Sequence, residues 1–177
     1  MPKTTAQLRQ LWRAYECNEA EMAAIGFGPD RIRVARPAAR AFTALAETMT
    51  RYRYFIRPAD TDSYNCRTIT GGTLKSLHAY GIALDVNWST NPYVDHPGTR
   101  GPRFSPKPTQ AERALDVKAG RADTDMTEAM IAEIESLCTA TGLQLFKWGG
   151  HFGTLKDSMH FELDIGPDDL AGGLASR

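Results

Sequence analysis

Two short stretches constrain this chain more than anything else in it. Residues 76–85 read Ser-Leu-His-Ala-Tyr-Gly-Ile-Ala-Leu-Asp, and residues 157–160 read Asp-Ser-Met-His. Together they offer two histidines and an aspartate, with a second aspartate three residues ahead of the later histidine. Imidazole nitrogen and carboxylate oxygen are ordinary zinc ligands, and three protein ligands leave a fourth position open for water. A neighbouring carboxylate can take that water's proton. His78, Asp85 and His160 are therefore candidate metal ligands and Asp157 the candidate general base. Arg67 is placed to meet negative charge as it grows on a reacting carbonyl. By spacing alone the same residues also fit an ordinary core histidine and a polar strand aspartate. Glu162 shares the face of His160 and competes as ligand or base.

Both stretches fall in segments with the two-residue period of a strand. Across residues 81–88, Ile82, Leu84, Val86 and Trp88 share one face, and Ala83, Asp85 and Asn87 the other. Across residues 159–163, His160 and Glu162 oppose Met159, Phe161 and Leu163. Further strands are expected at residues 54–56, 64–69 and 143–148. Helical spacing predicts a helix over residues 5–25, a second from Pro37 to Tyr52, and a third over residues 109–118 with Thr109 and Glu112 as its capping box. A fourth is capped by Thr124 or Asp125, buries Met130, Ile131, Ile134 and Leu137, and stops at Gly142. Helices followed by strands, with little βαβ alternation, predict an α+β fold with a small, mainly antiparallel sheet flanked by helices.

The chain has 177 residues, which suits a single domain over residues 1–177, with N-terminal helices in 1–60 and a catalytic core in 64–164. Lys and Arg number 21, as do Asp and Glu, and no polybasic run occurs; this argues against nucleic acid as the main partner. No stretch is apolar for long enough to predict a membrane span. The first residues lack the apolar core of a signal peptide, so synthesis in the cytoplasm and another route to any outside substrate are expected. A monomer is expected. Cys17, Cys66 and Cys138 are far apart and in no paired motif, which argues against a disulfide framework; Cys66, beside Arg67, is a minor candidate nucleophile. Residues 89–108, rich in proline and glycine, read as a mobile loop or lid and carry His96. Ser76 is a candidate to bond substrate or orient a ligand, Trp148 to line a cleft or the core, and His151 to bond substrate. The tail after Gly166 is expected to fray.

The pattern Ser-x-His-x-x-Gly-x-Ala-x-Asp at Ser76, His78, Gly81, Ala83 and Asp85 resembles that of the LAS metallopeptidases. So do Trp-Gly-Gly at residues 148–150 and the acid-x-x-His-Phe-Glu segment at Asp157, His160, Phe161 and Glu162. Within that group it is similar to the VanY-type D,D-carboxypeptidases and to the phage and bacillus L-alanyl-D-glutamate endopeptidases. The likeness covers residues 64–164. It implies a hedgehog/D,D-peptidase-like fold, Zn2+ held by His78, Asp85 and His160, Asp157 as base, Arg67 as transition-state cation, and peptidoglycan stem peptide as substrate. The Trp-Gly-Gly run leans towards the L-alanyl-D-glutamate endopeptidases of phage lysins, acting on the wall after holin-type release or delivery in a particle. A D-alanyl-D-alanine carboxypeptidase and a non-catalytic wall-binding or phage-particle module are the alternatives. Many relatives carry glutamate at the position of Asp157, so the shorter arm must bring its backbone nearer the reacting water.

Overall fold

The computed structural model describes residues 2–95, 101–153 and 155–175. His96 and part of the expected 89–108 lid lie outside the described residues. In chain order the elements are α1 (Thr5–Leu11), β1 (Met22–Phe27), β2 (Asp30–Ala35), α2 (Ala39–Arg51), β3 (Ala83–Asp85), β4 (Tyr93–Asp95), α3 (Gln110–Lys118), α4 (Glu128–Glu135), β5 (Phe146–Trp148), β6 (Leu155–Asp157), β7 (His160–Leu163) and α5 (Pro167–Leu170), joined by turns and short 3-10 segments. Among the described residues the strands form three small antiparallel sheets, ordered β1-β2, β3-β7-β5 and β4-β6. This is an α+β arrangement.

The first sixty residues differ from expectation. The helix expected over residues 5–25 stops at Leu11, and Met22–Phe27 is a strand. It pairs with β2 from Met22↔Ala35 to Phe27↔Asp30, around the two-residue turn Gly28–Pro29. Gly28 has φ +60°, the left-handed conformation such hairpin turns need. A paired ladder has overridden the helix propensity of a run rich in Ala and Glu. Residues 54–56 are extended but join no sheet. Side chains take the place of a ladder: Gln110 Oε1 accepts from Phe55 N at 2.8 Å, and Asn87 Nδ2 donates to Phe55 O at 2.8 Å. Residues 64–69 likewise join no sheet: they make the isolated bridge Thr68↔Lys75 and single backbone bonds such as Tyr64 N to Arg33 O at 3.1 Å.

Thr109 and Glu112 make the expected capping box of α3. The cap of α4 is Thr127 rather than Thr124 or Asp125, and that helix gives way at Ser136, not Gly142. Asp125 is instead buried against the Tyr54 hydroxyl, 2.5 Å away.

One core cluster runs through the whole arrangement. It takes Leu8 and Trp12 from the N-terminal segment, Phe27 and Val34 from the hairpin, Phe42, Leu45 and Met49 from α2, and Leu84, Phe146, Phe161 and Leu163 from the three-stranded sheet. Trp12 Nε1 donates to Ile165 O at 2.9 Å, tying the first turn of chain to the end of β7. Ala35 N donates to Gly81 O at 2.8 Å. A Cβ on Gly81 would stand 2.5 Å from Ala35 N, and its φ is +68°, so only glycine lets the hairpin close on the segment carrying His78.

Cys17 and Cys66 form a disulfide, with Cα atoms 5.0 Å apart. This corrects the expectation that the cysteines stand apart, and it removes Cys66 as a nucleophile. Cys138 is the free thiol.

Candidate metal centre

Local folding brings the three candidate ligands together. Ser76 caps the 3-10 turn Leu77–Tyr80, its Oγ accepting from His78 N at 3.4 Å, and Gly81 ends the turn in the left-handed region. The chain then enters β3, which delivers Asp85. β3 pairs with β7 so that Asp85 lies directly opposite His160. One ligand atom from each of His78, Asp85 and His160 falls within 4.8 Å of the others.

Hydrogen bonds fix which nitrogens face inward. His78 Nδ1 lies 2.6 Å from Ser63 O and so carries the ring proton. That leaves a lone pair on Nε2, which is buried, has no hydrogen-bond partner, and stands 3.2 Å from Asp85 Oδ2. Two acceptors facing each other at that distance are held apart by nothing but the site itself; a cation between them resolves the repulsion. His160 Nε2 meets Glu162 Oε2 at 3.2 Å, and its Nδ1 lies 2.9 Å from Asp85 Oδ1. With Nε2–H donated to Glu162, Nδ1 offers its lone pair to the same space. Nitrogen, nitrogen and carboxylate oxygen converging on one point is a donor set that suits zinc.

The electrostatics agree. Burial works against a charged Asp85, but hydrogen bonding and positive charge at His160, its partner across the strand pair, hold its carboxyl far below the ordinary range. Burial likewise opposes a charged His160, yet Asp85 and Glu162 push that ring up to about 10. The carboxylates thus favour positive charge in this gap, which a bound cation supplies as well as a ring proton does. Glu162 is anchored from behind: Lys147 Nζ sits 2.6 Å from Oε1, across the β5–β7 pair Lys147↔Glu162. Glu162 is thus a partner of His160 rather than a rival ligand.

These residues floor a cleft of about 560 Å³ that Arg67, Asp157, Ser76, Tyr93, Thr5 and Arg9 also line. Asp157 ends β6 opposite Tyr93 of β4. Its carboxylate makes no hydrogen bond to a described residue, and burial raises its pKa. Gly149 packs on its backbone: a Cβ there would lie 2.3 Å from Asp157 O. Arg67 is 41% exposed at its side chain, with Nη2 4.0 Å from Asp85 Oδ2.

Two expected site residues lie elsewhere. Trp148 is 1% exposed, donates its indole N–H to Ser158 O at 2.8 Å and stacks on Phe104; it braces the cleft from beneath and does not line it. His151 points away from the cleft onto Glu135, at 3.1 Å. Reading the sequence missed Arg9, Tyr93 and Lys147. The motif carries no signal for the first two; Lys147 was accessible only through the β5–β7 register.

Residues 70–163, more than half of the chain, match the family described as D-alanyl-D-alanine carboxypeptidase. The chain belongs to that family. It is accordingly a metallopeptidase, of a zinc-dependent and peptidoglycan-acting kind. The matched D-alanyl-D-alanine carboxypeptidase segment contains His78, Asp85, Asp157 and His160, whereas Arg67 lies just ahead of it. No curated protein and no solved structure matches the chain. No helix among the described residues is long and apolar enough to cross a membrane.

Proposed function

We propose that the protein hydrolyses an amide bond of the peptidoglycan stem peptide, with His78, Asp85 and His160 holding zinc, and that the bond is the L-alanyl-D-glutamate link. The observation that carries the zinc assignment is the orphaned His78 Nε2 facing Asp85 and the His160 ring across a buried gap. A zinc ion held there supplies Lewis acidity and brings the ionisation of a water close to neutral pH.

The protein's own residues do the rest. Asp157 lines the cleft and its carboxylate makes no hydrogen bond to a described residue, so it can accept a proton from the attacking water. The water oxygen bonds to the carbonyl carbon, the carbon–nitrogen bond breaks, and Asp157 Oδ delivers the proton to the leaving nitrogen. Arg67 faces the charge that develops on the carbonyl oxygen. Glu162 and Lys147 keep the His160 proton on Nε2 throughout.

The endopeptidase assignment rests on the Trp-Gly-Gly run. The Cys17–Cys66 disulfide supports work outside a reducing cytoplasm, as release at lysis or delivery in a particle would provide. We extend the same reading to a hedgehog/D,D-peptidase-like fold and a monomer. Mass spectrometry of purified peptidoglycan, digested with and without chelator and with zinc restored, tests the function. A new amino terminus on D-glutamate that disappears with chelator and returns with zinc is expected. Release of a single D-alanine instead makes the protein a D,D-carboxypeptidase. No release of either, with zinc bound, leaves a wall-binding module.

A further inference from the structure

Arg57, Arg103 and Arg121 each lay their guanidinium on an aspartate, at 2.6–2.8 Å. Arg67 leans towards Asp85. Arg9 is different. It lies on α1, outside the segment that carries the family resemblance, yet it lines the same cleft as His78, Asp85 and His160. No carboxylate among the described residues is within ion-pair distance of it. Its Nε donates to Lys75 O at 2.9 Å, which fixes the plane of the guanidinium and leaves both terminal nitrogens as donors. The helix beneath it is rigidly held, with Leu8 and Trp12 buried on either side and α1 packed against the turn that carries His78.

A guanidinium fixed through Nε presents parallel N–H donors whose spacing matches a carboxylate. Among the described residues Arg9 and Arg67 are the two guanidinium groups lining the cleft, and Asp85, Asp157 and Glu162 lie on its floor, so an anionic group on a substrate that sits clear of the metal centre is best met near those two arginines. Resting on the peptidase reading above, the chemistry of the substrate narrows the choice. In both candidate bonds the residue that leaves with the new amine carries a free α-carboxylate. D-Glutamate has one because the stem continues through its side chain; terminal D-alanine has one because the chain ends there.

We propose that Arg9 is a specificity-determining residue that binds the α-carboxylate of the leaving residue and so aligns the scissile amide over the His78, Asp85 and His160 centre. Arg67 remains available for the carbonyl oxygen. The N-terminal helix thereby becomes part of the substrate site.

The test uses the whole chain, zinc-loaded, and four synthetic peptides. Two contain the L-Ala–D-Glu link with the α-carboxyl either free or as its primary amide; two end in D-Ala-D-Ala with the terminal carboxyl free or amidated. The unmodified protein is expected to cleave the acid of one pair with kcat/KM about tenfold or more above its amide. In Arg9→Gln that ratio should collapse towards one, chiefly through KM, and Arg9→Lys should recover part of it. Which pair shows the preference tells which carboxylate is read. General damage to folding lowers acid and amide alike and leaves their ratio untouched, so an unaltered ratio in Arg9→Gln overturns the proposal. Equal cleavage of acid and amide by the unmodified protein overturns it too. Failure to cleave any of the four sinks the peptidase reading itself, and this inference with it.

Discussion

Cys66, disulfide-bonded to Cys17, stands immediately before Arg67 in the chain, so the covalent link fixes the root of the cation at the cleft. Cys17 also donates its backbone N–H to Ala79 O at 2.7 Å, in the turn that presents His78. One residue therefore anchors both sides of the site. The bond closes a sequence separation of 49 residues, which by loop entropy contributes about 2–4 kcal/mol to stability. Paired Cys17→Ser and Cys66→Ser substitutions should lower the melting temperature by several degrees and reduce kcat. Reductant should reproduce both effects in the unmodified protein and leave the variant unchanged. A variant with the parental melting temperature and rate removes this role.

Glu162→Gln keeps a hydrogen-bond acceptor beside His160 Nε2 but deletes the charge that Lys147 anchors. Zinc affinity is expected to fall about 10–100-fold. Competition against a chromophoric chelator measures it directly, without reference to catalysis. If Glu162 is instead a bystander, the titration curves of the two proteins superimpose.

Gly149 is pressed against the backbone of the proposed base. Adding a methyl group there must displace Asp157, whose carbonyl oxygen would be 2.3 Å from the new carbon. Gly149→Ala should cost about 1–3 kcal/mol in stability and tenfold or more in kcat. Gly153→Ala, where a Cβ meets nothing within 4 Å, is the matched control and is expected to be near neutral. Equal kinetics for the two variants contradict the idea that Trp-Gly-Gly shapes the base.

Asp60 gives the molecule an acid-sensitive clasp. Burial on its own would raise its pKa, but hydrogen bonds from Arg57 and Ser89, with the charge of Arg57, more than offset this and hold it below 3.8. A folded pKa below the unfolded one means stability that is present above the unfolded value and lost as pH falls through the folded value. The wild type should exceed Asp60→Asn by about 1–3 kcal/mol at neutral pH, and the gap should narrow below about pH 4. Urea unfolding of both proteins at neutral pH and near pH 3 reads the gap. A constant difference across that range rules out the ionised Asp60 as its source.

The site was more legible than the scaffold. His78, Asp85 and His160 could be named as candidates because zinc needs imidazole and carboxylate atoms and because their motifs resemble those of the LAS peptidases, and the fold brings one atom of each within 4.8 Å of the others. α2 and α3 were visible by spacing and by the Thr109–Glu112 cap. What sequence hid depends on pairing across space. The β1–β2 hairpin exists through a ladder, and its first strand has the composition of a helix. The Cys17–Cys66 bond depends on where the fold brings two distant residues. Trp148 sits in a motif at the site, yet its ring turns inward, with Gly150 too close beneath it to admit a side chain.

The continuous core has a bearing on how this protein can vary. The family likeness begins at residue 70, but Trp12, Phe27, Val34 and Phe42 pack into the same cluster as Leu84 and Phe161. The matched segment and the packed core thus have different borders in this chain. A fragment cut at residue 70 would carry every candidate ligand while exposing the surface that the hairpin and α2 cover. Conversely, change in the leading segment can reshape what enters the cleft while the candidate metal ligands stay as they are.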